Sequence, residues 1–202
     1  MKKQSARRLS PSQSGRPTPE QIQAAKNSIL PDVIANDLRV LFIGINPSLY
    51  SAAVGHHFGR PGNRFWPALF AAGLTDRLFQ PHEDRKLLLA GCGVTNLVAR
   101  ATARADELSA EEIRQGADKL KRKIKRRRVQ TAAFVGVTAY RTGFGRPHAK
   151  IGQQEEKCGG AMVWVLPNPS GLNAHYQAAD FARLFSEFRQ AVGLPDQRRD
   201  SG

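Results

Sequence analysis

Three short runs in the chain are almost wholly apolar: Arg39–Ile45 (RVLFIGI), Thr131–Val137 (TAAFVGV) and Ala161–Leu166 (AMVWVL). Apolar runs of this length without polar alternation predict strands buried on both faces. Gly91–Val98 (GCGVTNLV) reads as a strand or an extended segment. Helical spacing lies between the runs. Asn63–Ala72 (NRFWPALFAA) predicts a helix with Asn63 as cap and Pro67 tolerated in its first turn. Ser109-Ala-Glu-Glu112 has the Ser-to-Glu spacing of a capping box, and it opens a helix with Ile113, Ala117, Leu120 and Ile124 on one face. Tyr176–Val192 predicts a final amphipathic helix carrying Phe181, Leu184, Phe185 and Phe188. Strands alternating with helices predict an α/β fold: three layers, with a central, mostly parallel sheet flanked by helices.

Outside this region the pattern fades. Residues 1–19 are charged and rich in Ser and Pro, without apolar periodicity, and read as disordered. They lack the apolar core of a secretory signal. Gln21–Leu30 reads as a short helix stopped by Pro31. The expected organisation is therefore a basic tail over 1–30, one domain over 31–193, and a polar tail over 194–202. No apolar run approaches the roughly 18–20 residues that span a bilayer. Cys92 and Cys158 are too few for a disulfide framework or a zinc cluster. A reducing, cytoplasmic setting without membrane association is expected.

Charge changes the picture. Lys and Arg number 31 against 17 acids, a net +14, with a pI near 10.6. A balance this basic favours a polyanion, of which nucleic acid is the commonest. Eight of the ten residues in Lys119–Arg128 (KLKRKIKRRR) are basic. Leu120 and Ile124 face a core, so the charges form the solvated side of a helix; phosphate contact and a bare solvated face are both open readings.

Nucleotide-binding glycine patterns and the nucleophile elbow are missing from the sequence. Adjacent His56 and His57 lie in a Gly-rich loop without acidic or Cys neighbours at ligand spacing, so no metal and no cofactor is expected. Ligands in doubly wound folds sit beyond the carboxyl ends of the strands. Two strand ends carry Asn-Pro corners: Gly44-Ile45-Asn46-Pro47 and Leu166-Pro167-Asn168-Pro169. Together they bring two amides to one crevice, and the segment Pro47–Gly62, with Ser51, His56, His57 and Phe58, can wall it.

Four segments in this order, GINP (44–47), GHHFGRPGNRFW (55–66), GVTNLV (93–98) and LPNPSGL (166–172), resemble the mismatch-specific uracil/thymine DNA glycosylases, the double-strand-specific branch of the uracil-DNA glycosylase superfamily. The resemblance covers roughly residues 31–193. It implies a monofunctional, monomeric enzyme that flips uracil out of duplex DNA and hydrolyses its N-glycosidic bond. Asn46 would position the attacking water. Phe58 would stack on the flipped pyrimidine, with backbone groups near Ile45 and Phe58 reading its edge. Ser51 would lie near the pyrimidine C5 and favour uracil over thymine. Asn96 would edge the pocket, and Asn168 would hold the nucleotide. Gly171, Leu172 and Asn173 would form the wedge that enters the base stack. By analogy with faster, acid-bearing branches, Asn46→Asp is expected to raise cleavage. Two positions depart from the family pattern: Ser48 replaces the usual Gly, and Ala174 the usual Arg. The alternative from another class is a non-catalytic DNA-damage-binding module that keeps the same pocket.

Overall fold

The computed structural model describes residues 16–171 and 175–198. Five strands form one sheet in the order β2-β1-β3-β5-β4. They are β1 (Val40–Gly44), β2 (Cys92–Asn96), β3 (Thr131–Val135), β4 (Gly152–Cys158) and β5 (Ala161–Leu166). The pairs β1–β2, β1–β3 and β3–β5 are parallel, and β4 joins β5 antiparallel. Strands β1 and β3 are buried at every position, as expected of central parallel strands covered on both faces.

Each face has its own core. On one side α3 (Phe65–Ala71), α6 (Ala178–Ala191) and the 3-10 segment Pro81–Ala90 gather Phe42, Phe65, Trp66, Leu69, Phe185 and Phe188. On the other α4 (Ala110–Arg127) and α5 (Val137–Phe144) gather Leu41, Ile43, Ile113, Leu120, Ile124 and Phe134. This is the three-layer α/β/α arrangement that the alternation of apolar runs predicts.

The local signals act at the starts of two helices. Ser109 and Glu112 form the capping box of α4, with reciprocal bonds of 3.1 and 3.0 Å. The N-cap of α3 is Arg64 and not the expected Asn63, which stands one residue before it and accepts the N–H of Phe65 at 2.9 Å. Elsewhere the structure departs from the sequence reading. The run Thr131–Val137 ends as a strand at Val135, because Gly136 takes φ 120° and α5 begins at Val137. Strand β4 is polar (GQQEEKC), with partly covered and exposed positions alternating, so no apolar run announces it.

The segment before Pro31 is packed on the domain. Helix α1 spans Pro19–Ala24, earlier than the Gln21–Leu30 expected, behind a capping box between Thr18 and Gln21. Ala25 and Leu30 are buried, and the N–H of Asn27 donates to the carbonyl of Ala101 at 2.9 Å. Beyond Gly193, the N–H of Gln197 donates to the Gly73 carbonyl at 2.7 Å. No helix among the described residues is long and apolar enough to cross a membrane.

Candidate active site

Because β2, β1, β3 and β5 run parallel, their carboxyl ends share one edge of the sheet. There Gly44 pairs with Asn96 and Val135 with Leu166. Asn46 lies two residues past the end of β1 and Asn168 two past the end of β5. Both Asn-Pro corners and Asn96 thus reach the same pole.

Asn46 sits in a cradle built by the segment after β2. Its Nδ2 donates to the Arg100 carbonyl at 3.1 Å and to Thr102 Oγ1 at 2.7 Å. Thr102 is buried, and its own hydroxyl proton goes to the Arg104 carbonyl at 2.7 Å. Both amide hydrogens are therefore used, and Oδ1 accepts no bond among the described residues. The cradle is tied to the domain from outside: the Arg100 guanidinium grips Glu112 at 2.7 and 3.0 Å, and Glu112 is also the capping-box acid of α4. Bonding to Arg100, then to Ser109, holds the Glu112 carboxyl down to about 2.

Ser48 caps α2 (Leu49–Val54) with its side chain, at φ −67° and ψ 157°. The backbone there is ordinary extended geometry, so a side chain is accommodated without strain. The Ser51 hydroxyl is buried; it accepts from the N–H of Gly59 at 3.0 Å and lies 3.0 Å from Ser48 Oγ. Ser51 thereby anchors the loop next to Phe58. Phe58 is held at φ 52°, a left-handed conformation that costs an aromatic residue about 1–3 kcal/mol. Its ring stacks on Phe65 with centroids 3.9 Å apart and the planes inclined by 25°.

Gly44 makes the floor between these groups. A Cβ there would come within 2.6 Å of Asn96 Oδ1 and 3.6 Å of the Phe58 ring. Asn96 Nδ2 lies 3.4 Å from His57 Nδ1, while His57 Nε2 lies 3.0 Å from the Pro31 carbonyl. A carbonyl only accepts, so Nε2 carries the proton, Nδ1 accepts, and Asn96 turns its amide nitrogen to His57. Burial, opposed by the Pro31 carbonyl, pushes the His57 pKa down and keeps the ring neutral. His56 turns elsewhere, to the buried carboxylate of Asp84 at 3.3 Å. The Ile45 carbonyl accepts the N–H of Val98 at 2.9 Å.

The second corner is fastened to the first wall. Asn168 Oδ1 accepts the N–H of Ser170 at 3.0 Å, and its side chain stands 3.5 Å from a Cβ built on Gly136. Arg64 donates from its backbone to Pro169 at 2.9 Å and from its guanidinium to the carbonyls of Ser170 and Tyr176 at 2.7 and 2.6 Å. Gly171 abuts the Gly62 carbonyl, which a Cβ would meet at 2.9 Å. Leu172 and Asn173 of the expected wedge, and Ala174, lie outside the described residues.

This constellation of strand-end amides, an aromatic wall and a small-residue corner lies within a matched region. Residues 31–192 match the model of the uracil DNA glycosylase superfamily. The chain belongs to that superfamily. Its members are DNA glycosylases, hydrolases of N-glycosyl bonds, and membership implies that the chain binds DNA.

Several residues that shape this superfamily site carry no signal in the sequence. Thr102 and the Arg100 carbonyl lie more than 50 residues from Asn46, and Arg64 more than 100 from the corner it clamps. One surface hollow, about 420 Å³ among Leu74, Arg77, Phe79 and Leu89, excludes the strand ends. A second, about 280 Å³, includes Phe58, Asn63 and Trp66 but not Asn46. The candidate site therefore rests on the strand-end amides and not on cavity size. The basic run of α4 ends where β3 begins, at the opposite pole from Asn46.

Proposed function

We propose that this protein is a monofunctional, mismatch-directed uracil-DNA glycosylase: it flips uracil out of duplex DNA, notably from G·U pairs, and hydrolyses the N-glycosidic bond to leave an abasic site. The observation that carries this reading is the orientation of Asn46. Its amide nitrogen is fully committed, so it presents a carbonyl oxygen, an acceptor that neither ionises nor attacks.

Uracil departs as an anion while the sugar becomes oxocarbenium-like. Such a reaction proceeds without a strong nucleophile when water is held at the sugar and donors meet the leaving oxygens. Asn46 Oδ1 accepts a hydrogen bond from the water and aims its lone pair at C1′. Phe58 stacks on the extruded base, and Asn96, oriented by His57, contacts the pyrimidine edge. Asn168 and the corner held by Arg64 secure the flipped nucleotide. Residues 171–173 fill the gap left in the stack. Ser51 favours uracil indirectly as well as by position, since it sets the loop that bears Phe58. The net +14 charge supports binding to the phosphate backbone.

A panel of end-labelled substrates carrying U·G, U·A, T·G or single-stranded U, each treated with hot alkali after incubation, tests the reading. Cleavage is expected first and fastest at U·G. Equal cleavage of single-stranded U would remove the duplex-directed part. Tight binding to U·G duplex with no cleavage of any substrate would favour the non-catalytic module.

A further inference from the structure

We propose that Thr102 is a positioning residue, and that with the Arg100 carbonyl it makes position 46 a site for an amide rather than a carboxylate; this rests on the glycosylase reading of Asn46. Asn46 Nδ2 faces two oxygens, Arg100 O at 3.1 Å and Thr102 Oγ1 at 2.7 Å. The first is a carbonyl and can only accept. The second is a hydroxyl whose proton already points to Arg104 O at 2.7 Å, so it too offers only a lone pair. Turned by 180°, the amide would set Oδ1 against two acceptors, and the network therefore fixes its orientation. Thr102 is buried, and its backbone N–H donates to the Pro47 carbonyl at 3.2 Å, so its hydroxyl is held in register with the Asn-Pro corner.

The cradle reverses the expectation that an acid at this position would speed the reaction. In Asn46→Asp, the oxygen that replaces Nδ2 would confront the same two acceptors. The Thr102 hydroxyl could satisfy it only by abandoning Arg104, and the Arg100 carbonyl would still oppose it. The carboxylate then either takes up a proton or swings away, and neither state holds water as the amide does.

The test uses the full chain and a U·G duplex, and measures single-turnover uracil release, duplex affinity and side-chain NMR. Thr102→Val, which keeps the shape and removes the acceptor, is expected to slow release about tenfold or more while changing affinity less than about twofold. Thr102→Ser, which keeps the acceptor, is expected to return the rate to within about threefold of the parent. Asn46→Asp is expected to be slower than the parent at neutral pH. The side-chain amide protons of Asn46, assigned by their loss in Asn46→Asp, are expected to exchange slowly in the parent and faster in Thr102→Val. Parent-like release by Thr102→Val, equal impairment of the Val and Ser variants, or faster release by Asn46→Asp would overturn the inference. If the parent chain released no uracil, the glycosylase reading would fail, and amide exchange alone would then decide the lock.

Discussion

The guanidinium of Arg64 donates to the carbonyl of Ser170 at 2.7 Å, across the crevice between the aromatic wall and the second Asn-Pro corner. The same group reaches Tyr176 O at 2.6 Å and lies over the ring of Phe181, 4.6 Å from its centroid. One side chain thus holds Ser170 and Tyr176 against the start of α3. Hydrogen bonds to a charged group contribute about 1.5–3 kcal/mol each. Arg64→Met is expected to lower unfolding free energy by about 2–4 kcal/mol in urea titrations. It is also expected to weaken duplex binding more than the same loss of stability elsewhere in α3. Arg64→Lys, which lacks the planar fork, is expected to recover less than half of the stability lost.

Gly44 leaves room that no other residue leaves. In Gly44→Ala the new methyl would displace Asn96 Oδ1, now 2.6 Å from its position, and crowd Phe58. The displaced atom is the end of a side chain, so the fold has room to adjust. The expected outcome is a melting temperature within a few degrees of the parent and uracil release slower by about tenfold or more. Release at the parent rate would show that the space above Gly44 is not used by the base.

His57 links acidity to both stability and the site. Its imidazole is 2% exposed, and burial lowers its pKa below the ordinary value. Above about pH 6.5 the ring is neutral in folded and unfolded chains alike, so it adds no pH dependence. Below that, the unfolded chain takes up a proton that the folded chain refuses. Stability then falls as pH drops, by up to about 1.4 kcal/mol per unit, until the folded pKa is reached. Urea midpoints between pH 8 and pH 5 should show this slope, and His57→Gln should flatten it. Protonation of Nδ1 would also turn Asn96 around, so cleavage should persist through that range and be lost only at the more acidic pH where the folded ring itself takes up a proton.

The exposed cations Lys119, Arg122, Lys125 and Arg126 form no ion pair among the described residues, whereas Lys123 and Arg128 are paired with Asp32 and Asp37. The four lie in the second half of α4, which runs toward the pole where β3 starts, away from Asn46. Changing the four to Gln should therefore leave both the rate and the salt slope on a short duplex unchanged. Were any of them seated on a phosphate, its removal would reduce that slope by about 0.9, which a salt titration resolves readily.

Much of this molecule was readable before its structure. The strands β1, β3 and β5 announce themselves because burial on both faces demands uninterrupted apolar residues. The edge strand β4 does not, because one covered face and a free edge allow Gln, Glu and Lys. Helix α1 had a readable signal in Thr18-Pro-Glu-Gln21, a capping-box spacing. As candidate site residues, Asn46 and Asn96 were legible because ligands in such folds sit at strand ends, and Phe58 because its motif resembles that of known glycosylases. The groups that aim them were not. A backbone carbonyl such as Arg100 O has no signature in sequence. Thr102, His57 and Arg64 become informative only when the chain brings distant segments within 3.5 Å.

The central claim is that the amide of Asn46 directs hydrolysis of the uracil–sugar bond in duplex DNA. Release of free uracil from a U·G duplex, measured under single-turnover conditions for the parent chain and for Asn46→Ala, tests it most directly. The expected result is release by the parent, and a rate lower by about a hundredfold or more in the variant, with duplex affinity preserved within about threefold. Equal release by the two proteins, or no release by the parent at enzyme excess, would contradict it.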